Sequence, residues 1–403
     1  MTIQGPLSGV RILDLSQAHA GPYGSQLLGD LGADIIKIEA YGRGDMLRGV
    51  KPDNKGESYY ILALNRNKKS IALNLRTESG KQAFYDLVKI SDVVYDNFRA
   101  GVIERLGADY ETVKKINPDI ICASITGYGQ SGPYKIKGAF DDIVQGIAGA
   151  LSLCGEPGGG PLRPGMPIAD LAGGFFCAMG VVVALYEKQK SGKGSKVEVS
   201  LIDSTMSLMS NHFQNYFLSG KPPQPQGKTH PNIIIGAFAT KDSYITLGPS
   251  WPKLATAIDK EWLLTDPRFD TNKKRNENKN ELEKIIEETL LEKNTEEWLE
   301  LFDKHDIVGG PIYTLDQVVE DPQVVHNKNV IHMEHPVCGP MRAIASPIRI
   351  KDKITGDPVP PATYNQNGIE VLKNILGYSD EKIAALEKDA EEQAKKTKKR
   401  ANI

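Results

Sequence analysis

The arrangement of apolar and polar positions changes regularly along the first part of the chain. Short apolar runs rich in Ile, Val and Leu alternate with longer segments of helical character. The runs predict strands at Val10–Leu15, Asp34–Glu39, Ser70–Leu75, Asp92–Asp96 and Ile120–Ile125. The segments between them predict helices at Tyr23–Leu31, Gly80–Ile90, Gly101–Leu106 and Tyr110–Ile116. This alternation indicates an α/β fold with a parallel, doubly wound sheet whose strands are covered on both faces.

The rest of the chain predicts loops, an apolar helix and a linker. Gly and Pro accumulate between Gly127 and Gly174, and loops of this kind on an α/β scaffold often carry the chemistry. The Pro-rich segment Gly220–Pro231 predicts a linker. The other predicted elements are an apolar helix at Leu171–Lys190, a strand at Lys196–Ser200, a helix at Asp203–Leu218, strands within 233–249, charged helices within 251–306, strands within 330–350, and helices at Gly368–Leu376 and Asp380–Lys395.

Composition is that of an ordinary globular protein rather than a disordered one: of the 403 residues, 40% are apolar and 25% charged. A net charge of −2 gives no reason to expect nucleic acid or an anionic membrane as a partner. The four cysteines, Cys122, Cys154, Cys177 and Cys338, lie far apart, which argues against a disulfide framework and a structural zinc site. No signal peptide is visible, and the longest apolar stretch, Gly173–Leu185, is expected to be too short to cross a bilayer. We therefore expect a cytoplasmic protein.

A glycine-rich segment, Gly127–Gly132, matches the GxGxxG pattern and follows a predicted strand. A dinucleotide site needs a helix to begin there, but Pro133–Lys137 follows without an apolar helical face. The pattern is better interpreted as a turn that lets the backbone pass close to another group. His332 and His335 lie three residues apart, but no further ligand completes a metal site, so no metal is expected.

Asp170 lies between a Pro-containing loop and the apolar helix. Taken alone, an Asp at this place is most often an N-cap. Two features favour a chemical role. Gly173 and Gly174 each cost the helix about 1 kcal/mol relative to Ala, which suggests that something approaches the backbone closely. A helix N-terminus also holds a carboxylate in the ionised form that a nucleophile requires.

Short motifs extend over nearly the whole chain. They are Leu7–Leu15, Ala20–Pro22, Leu31–Glu39, Gly42–Asp45, Asn65–Ser70, Asp96–Gly101, Ile125–Gly129, Ile168–Asp170 and Ser191–Gly194. In combination they resemble the class III CoA-transferases (CaiB/BaiF), the family of formyl-CoA transferase and carnitine-CoA transferase. The resemblance implies a Rossmann-like large domain from 1–200 and 330–403, a linker helix and connection at 201–230, and a smaller α+β domain at 231–329. It also implies an interlocked homodimer, or a heteromer with a related subunit.

The resemblance implies an enzyme that moves CoA from an acyl-CoA, with succinyl-CoA as the donor that is frequent in the family, to an organic carboxylate. Asp170 would be the nucleophile, forming first a mixed anhydride with the acyl group and then an aspartyl-CoA thioester. No metal or permanently bound cofactor is implied, since coenzyme A is a substrate. Water must be excluded because either intermediate hydrolyses. The acceptor stays open.

Other positions carry over from the resemblance one by one. His19 and Ala20 match the pair beside the thioester, where formyl-CoA transferase has Gln in place of the His. An oxyanion-donor role for His19 is a hypothesis beside the simpler interpretation as a turn histidine. Arg43 would compensate for Ala40, which replaces an Arg near the adenine. The remaining implied CoA contacts are Leu73, Arg76, Asn97, Phe98, Arg99, Arg105 and Lys137. Lys68, Lys69 and Lys137 could all bind phosphate, although each such lysine is more often solvated.

Three alternatives remain at this point. An α-methylacyl-CoA racemase of the same fold needs a catalytic His where this chain has Phe140, which argues against a two-base mechanism. A non-catalytic subunit of a heteromeric transferase is expected to lack the Asp, whereas Asp170 is present. A nicotinamide-dependent oxidoreductase rests only on the glycine pattern at 127–132.

Overall fold

The structure is a computed structural model that describes residues 3–230 and 234–401. By its internal contacts the chain divides into two compact units. The first unit comprises Met1–Ala150, Pro164–Phe213 and His326–Ile403. The second comprises Leu151–Arg163 and Gln214–Val325. Both units are therefore assembled from segments that are separated in the sequence.

The secondary structure alternates between strands and helices over the first 200 residues. The strands are β1 (Arg11–Asp14), β2 (Asp34–Ala40), β3 (Asp53–Asn54), β4 (Glu57–Ser58), β5 (Lys68–Leu73), β6 (Val93–Asp96), β7 (Ile121–Thr126), β8 (Lys196–Ser200), β9 (Gly236–Ala239), β10 (Tyr244–Leu247), β11 (Gly309–Pro311), β12 (Val330–His335) and β13 (Gly339–Ile344). The α-helices are α1 (Ala20–Asp30), α2 (Tyr59–Leu64), α3 (Glu78–Val88), α4 (Val102–Leu106), α5 (Tyr110–Val113), α6 (Asp141–Ile147), α7 (Ile168–Ser191), α8 (Leu201–Leu208), α9 (Ser210–Ser219), α10 (Lys253–Ala257), α11 (Asn272–Glu277), α12 (Lys279–Leu290), α13 (Thr295–Lys304), α14 (Leu315–Val318), α15 (Pro322–His326) and α16 (Asp380–Ala401). Short 3₁₀ turns occur at Ala150–Leu153 and Glu261–Leu264, and a π-helical turn at Glu370–Ile375.

A parallel sheet of six strands forms the centre of the first unit, in the order β5-β2-β1-β6-β7-β8. The predicted α/β fold with a parallel sheet is confirmed, and the five strands predicted before residue 130 are all in this sheet. The chain builds the sheet outward from β1 in one direction and then from β6 in the other. In open α/β sheets, ligands bind at the carboxyl ends of the strands where the order reverses. The topology therefore places the expected site after β1 and β6.

Apolar side chains fill both faces of this sheet. On β1, Leu13 belongs to the cluster with Phe84 of α3, while its neighbour Ile12 belongs to the cluster with Leu28 of α1 and Val181 of α7. Neighbouring residues of a strand point to opposite faces, so a strand covered on both sides is apolar throughout. This is why continuous apolar runs predicted these strands correctly.

Helix α7 is longer than predicted, and the expectation that its apolar stretch is too short to cross a bilayer is wrong. Its 24 residues contain a window with a mean hydropathy of 2.1, so by length and composition it could cross a bilayer. Half of that window is buried within the fold, and the helix packs against α1, α8 and the sheet. This burial and this packing identify α7 as a core helix of the first unit.

The two glycines of α7 are explained by neighbouring elements of the same unit. A Cβ atom on Gly174 would lie 2.4 Å from the Ala20 carbonyl oxygen of α1. A Cβ atom on Gly24 would lie 2.5 Å from the Gly174 carbonyl oxygen, so the close approach is mutual. The Gly173 position faces the side chain of Leu201 instead, at 2.4 Å. The group that approaches the α7 backbone closely is therefore the backbone of α1.

The second unit has a small antiparallel sheet, in the order β11-β10-β9, and a core that includes Trp298 and Phe302. Two predicted helices differ from the structure. The predicted helix Asp203–Leu218 is two helices, α8 and α9, and the helix predicted at Gly368–Leu376 is mainly the π-helical turn. Residues 220–230 of the predicted linker contain neither a named helix nor a named strand, and Pro231 lies outside the described residues.

Candidate active site

A cavity of about 270 Å³ opens at the reversal point of the parallel sheet, within the first unit. The loops after β1, β6 and β7 line it, together with the first turn of α7. The lining residues are Gln17, Ala18, His19, Ala20, Met46, Asn97, Phe98, Arg99, Ala100, Ile125, Thr126, Gly127, Tyr128, Lys135, Lys137, Ala139, Phe140, Asp170 and Leu201. Another cavity, of about 390 Å³, has a larger volume but lies near the amino ends of β2 and β5, and Lys68 and Lys69 are the candidate residues that line it. The topology therefore favours the smaller cavity.

The structure brings most of the predicted site residues together. His19, Ala20, Asn97, Phe98, Arg99, Lys137 and Asp170 all line the cavity. Arg43, Leu73, Arg76 and Arg105 do not line it. They lie elsewhere near the carboxyl ends of β2, β5 and β6: Leu73 is buried, while the three arginines are exposed and make no ion pair among the described residues. These arginines are free to contact an anionic ligand along that edge.

Asp170 is in the first turn of α7, three residues after Pro167, the N-cap residue. The interpretation of Asp170 as an N-cap is therefore wrong. Its N–H donates to Oδ1 of Asp141 at 3.0 Å. Burial, and then the charges of the Asp141 and Asp142 carboxylates, raise the pKa of the Asp170 carboxyl to about 7. We expected the helix dipole to keep this group fully ionised, but burial and two like charges outweigh the dipole.

Asp141 was not predicted as a site residue. It is the first residue of α6, it is buried, and it accepts hydrogen bonds from the N–H of Asp170 and from Nε2 of Gln145. The sequence signal was a pair of acidic residues at a helix start, Asp141 and Asp142, next to Phe140. That signal is too common to indicate a site without the fold, which places α6 beside α7.

His19 is the N-cap residue of α1 and presents its ring to the cavity. Its Nδ1 atom is buried and has no hydrogen-bond partner among the described residues. Burial lowers the pKa of His19, and the opposing effect of the Asp141 charge is smaller. The imidazole is therefore neutral at pH 7 and carries one N–H that can donate. The first turn of α1, beginning at Ala20, adds N–H groups that have no acceptor within the helix.

The basic side chains near the cavity differ in what they can bind. Arg99 donates to the Ile136 carbonyl oxygen at 3.3 Å, and the Lys137 ammonium lies 3.8 Å from the centre of the Tyr134 ring. Both are exposed at the cavity wall. Lys68, by contrast, is fully buried, with Nζ 3.2 Å from Asp14 Oδ2, so it is neither solvated nor available to a phosphate. Lys69 pairs with Asp34 instead.

The glycine pattern at Gly127–Gly132 forms a loop and not the start of a helix. The next helix begins only at Asp141, so the segment lacks the geometry of a dinucleotide site. A Cβ atom on Gly127 would lie 2.2 Å from Cβ of Ala139, which explains the glycine as a close approach within the loop. Among the described residues, no group of three or more His, Cys, Asp and Glu side chains could hold a metal ion.

The position that would carry the racemase histidine is occupied by an exposed apolar ring. Phe140 precedes α6, lines the cavity and is 70% exposed. It can neither donate nor remove a proton. His19 is the histidine that lines the described cavity, and it comes from the loop after β1.

Comparison with known proteins gives a consistent result. The sequence model of CoA-transferase family III matches residues 7–366. The chain is 36% identical over 387 residues to the succinyl-CoA:glutarate CoA-transferase of Homo sapiens, covering 94% of this chain and 88% of that protein. It is 32% identical over 389 residues to the succinyl-CoA–D-citramalate CoA-transferase of Chloroflexus aurantiacus, covering 95% and 97%. A crystal structure of a CaiB/BaiF family protein from Brucella suis superimposes with a TM-score of 0.85 at 33% identity, covering 93% of this chain and all of that chain. The match to the family model covers the sheet, the cavity and both units, and this chain is therefore a CoA-transferase that belongs to CoA-transferase family III.

Proposed function

We propose that this CoA-transferase works through Asp170 as a covalent nucleophile. The observation that carries the proposal is the position of Asp170: its carboxylate lines the cavity at the reversal point of the sheet, together with His19 and the N-terminus of α1. A nucleophile and groups that stabilise negative charge are what acyl transfer requires. Neither a metal ion nor a redox group takes part in the steps below.

The proposed reaction starts with attack of an Asp170 oxygen on the thioester carbonyl carbon. The carbon–sulfur bond breaks, which gives a mixed anhydride and CoA thiolate. The thiolate then attacks the aspartyl carbonyl carbon, so the donor leaves as a carboxylate and an aspartyl-CoA thioester remains. The acceptor carboxylate repeats the sequence in reverse: it displaces the thiolate to form a second anhydride, and the thiolate attacks the acceptor carbonyl and regenerates the Asp170 carboxylate. No proton is gained or lost overall.

Each attack places negative charge on a carbonyl oxygen, which has to be stabilised. We assign this role to the neutral His19 imidazole and to the N–H groups in the first turn of α1, beginning at Ala20. Backbone N–H groups at a helix N-terminus suit an anion because they point along the helix dipole. His19 lines the cavity together with Asp170, which supports this assignment over that of a plain turn histidine.

We propose that coenzyme A binds along the carboxyl edge of the sheet. The phosphates would contact the exposed arginines Arg43, Arg76 and Arg105, because a guanidinium binds phosphate bidentately. The part of CoA near the thioester would contact the side chains that line the cavity, which are Asn97, Phe98, Arg99 and Lys137, and Leu73 would support the edge from the end of β5.

For the substrates, we propose succinyl-CoA as the donor and a dicarboxylate as the acceptor. Two of the relatives are named for succinyl-CoA together with a second substrate, which is glutarate in one and D-citramalate in the other. The cations of Arg99, Lys135 and Lys137 line the cavity and form no ion pair with a carboxylate of the described chain. Such cations suit the second carboxylate of a dicarboxylate.

We also propose that the chain forms a dimer of interlocked copies in the cytoplasm. Helix α7 supports the dimer, because a row of large apolar side chains on it is exposed: Phe175, Met179, Val182, Val183 and Tyr186. Phe175, Met179, Val182 and Tyr186 follow one another at three or four residues, and Val183 lies four residues after Met179, so the five share one helix face. All four cysteines are free, as is usual in a reducing compartment.

The experiment that tests the function is a CoA-exchange assay with mass-spectrometric detection. Acyl-CoA donors, including succinyl-CoA, are combined with mono- and dicarboxylate acceptors. The wild type, Asp170→Ala and Glu187→Ala are compared, since Glu187 is an exposed carboxylate on the same helix. We expect new acyl-CoA from the wild type and Glu187→Ala and none from Asp170→Ala.

Other outcomes of the same assay would assign a different function. Transfer that persists in Asp170→Ala would exclude the proposed nucleophile. Deuterium uptake at the α-carbon in heavy water, without CoA exchange, would indicate the racemase reaction. Complete inactivity with every pair of substrates would indicate a subunit that needs a partner.

A further inference from the structure

The loop that connects β1 to α1 is held by side chains from several other elements. The N–H of Ser16 donates to Asp14, and its carbonyl oxygen accepts from Nζ of Lys37 at 2.7 Å. The side-chain amide of Asn97 bonds both the N–H and the carbonyl oxygen of Gln17, at 2.8 and 2.7 Å. Loops are normally more mobile than the elements they connect, but one whose backbone groups are bonded by side chains of other elements has a fixed conformation.

Asp45 holds the last part of this loop. Its Oδ1 accepts from the N–H of Ala18 at 3.2 Å and from the N–H of Leu47 at 3.0 Å. Its Oδ2 lies 2.9 Å from Nζ of Lys37, and both side chains are almost completely buried, at 0% and 2% exposed. A buried charge is costly unless it is paired. Asp45 and Lys37 therefore stabilise each other while each binds a different point of the same loop.

The backbone conformation of Ala18 is unfavourable and has to be stabilised by these bonds. Its φ is +64°, in the left-handed region that costs a residue with a Cβ atom about 1–2 kcal/mol. The following residues are His19 and Ala20, where α1 begins. The backbone turn at Ala18 thus determines where the imidazole and the first N–H groups of α1 lie in the cavity.

We propose that Asp45 is a positioning residue for CoA transfer: through the N–H of Ala18 it keeps the loop in the left-handed turn that directs His19 and the α1 N-terminus at the reacting carbonyl. Asp45 itself does not line the cavity. The inference rests on the proposed function, because it concerns the groups that stabilise the oxyanion. It adds a role for the acidic residue of the Gly42–Asp45 motif, which the reaction steps leave unused.

The test replaces Asp45 by its isostere in Asp45→Asn. An Asn offers one oxygen where the Asp offers two, so either Lys37 or the N–H of Ala18 loses its acceptor. We expect kcat to fall about tenfold or more with little change in the KM for acyl-CoA, because a small misplacement of catalytic groups slows the chemical step. Circular dichroism shows whether the variant is folded at the assay temperature.

A matched control separates positioning from general loss of stability. Asp30→Asn disrupts another buried pair, in which Asp30 at the end of α1 binds Arg66 at 2.5 Å. We expect this variant to lower the unfolding temperature without the fall in kcat. Equal losses of kcat in Asp30→Asn and Asp45→Asn would overturn the proposal.

Adding Ala18→Gly provides a rescue that a purely structural role does not predict. Glycine adopts positive φ without strain, so the turn no longer depends on the Asp45 bond. We expect Ala18→Gly to recover part of the lost kcat in the Asp45→Asn background and not to raise kcat in the Asp30→Asn background. An equal effect in both backgrounds would contradict the proposed role.

A further variant applies if Asp45→Asn does not fold. Ala18→Val leaves the buried pair intact but disfavours positive φ, since its side chain is β-branched. We expect kcat to fall in this folded variant, and an unchanged kcat would overturn the proposal. Failure of the proposed function is distinguishable, because it would appear as activity in Asp170→Ala whatever Asp45 does.

Discussion

Burial and two nearby carboxylates set the pH at which Asp170 can react. Its pKa is raised to about 7 by burial and then by the charges of Asp141 and Asp142. A carboxyl attacks only when it is ionised, so the active fraction increases as the pH rises through 7. We expect kcat/KM for acyl-CoA to increase with pH and to level off about one unit above that midpoint.

Removing a neighbouring charge provides a test with a definite sign. In Asp141→Asn the side-chain oxygen can still accept from the N–H of Asp170, but the like charge is gone. The ionised form of Asp170 then becomes more favourable, so the midpoint of the pH profile should move to lower pH. Asp142→Asn should move it in the same direction by less, because its effect on this pKa is the smaller one. A midpoint that stays in place or rises in Asp141→Asn would contradict this account.

At the scale of single residues, the sequence indicated residues with local signals and missed those that act at a distance. Asp170 has a local signal, a helix start with two glycines, and the family motifs indicated His19. Asp141 has no such signal, and Asp45 lies in the Gly42–Asp45 motif without a role that the motif itself indicates. Asp141 affects the site because α6 lies beside α7. Asp45 affects it because Lys37 and the N–H of Ala18 contact its carboxylate in the interior. Such roles depend on contacts between segments that are far apart in the sequence.

At the scale of elements, the crossing of α1 and α7 fixes the arrangement of the site. The contact between Gly24 and Gly174 is one turn beyond Ala20 and Asp170, the residues that face the cavity from each helix. We expect Gly174→Ala to lower both stability and kcat, since its Cβ atom would lie 2.4 Å from a backbone oxygen that cannot move without α1. Thermal unfolding and steady-state kinetics measure the two effects.

Gly173→Ala is the matched control for this crossing. Its Cβ atom would meet the end of the Leu201 side chain, which can change its rotamer more easily than a helix can shift. We expect a clearly smaller loss of activity from Gly173→Ala than from Gly174→Ala. The opposite ranking would show that the helix crossing does not determine the geometry of the site.

The elements that the sequence predicted well are those whose pattern is local. The strands of the parallel sheet are continuous apolar runs, and β8 was predicted with its observed limits, Lys196–Ser200. The break between α8 and α9 at Met209 was missed, because no Gly or Pro marks it. The packing role of the two α7 glycines could not be predicted either, since only the fold shows that α1 packs against Gly174.

At the scale of the whole molecule, the exposed apolar row on α7 allows a test of self-association. Val183 is 62% exposed in the single chain, and Tyr186 is 60% exposed one turn further along. If this face is covered in a dimer, Val183→Asp places a charge in the interface and should weaken the dimer. Sedimentation velocity over a range of concentrations measures the change.

The control for that test is Ile90→Asp. Ile90 is an exposed apolar residue, 44% accessible, that follows α3 on another part of the first unit. We expect Ile90→Asp to associate like the wild type. Unchanged association of Val183→Asp would remove α7 from the proposed interface.

Several of the motifs that carry the family resemblance, among them Asp96–Gly101, Ile125–Gly129 and Ile168–Asp170, contribute residues to the cavity. The division into two units could not be derived from composition alone. The family resemblance, and not composition, implied that the large domain takes up the chain again after the small one. The first unit takes up the chain again at His326, after the second unit has ended.

This return has a consequence for how the protein is made. Helix α16 packs against α3, and its residues Ile383 and Leu386 complete the apolar cluster on one face of the sheet. The ribosome adds Phe84 of that cluster roughly 300 residues before Ile383 and Leu386. At a synthesis rate of 5–20 residues per second, this is at least about 15 s earlier. During that interval the nascent chain carries an uncovered apolar surface. Its synthesis therefore depends on keeping this surface from aggregating until the last helix arrives.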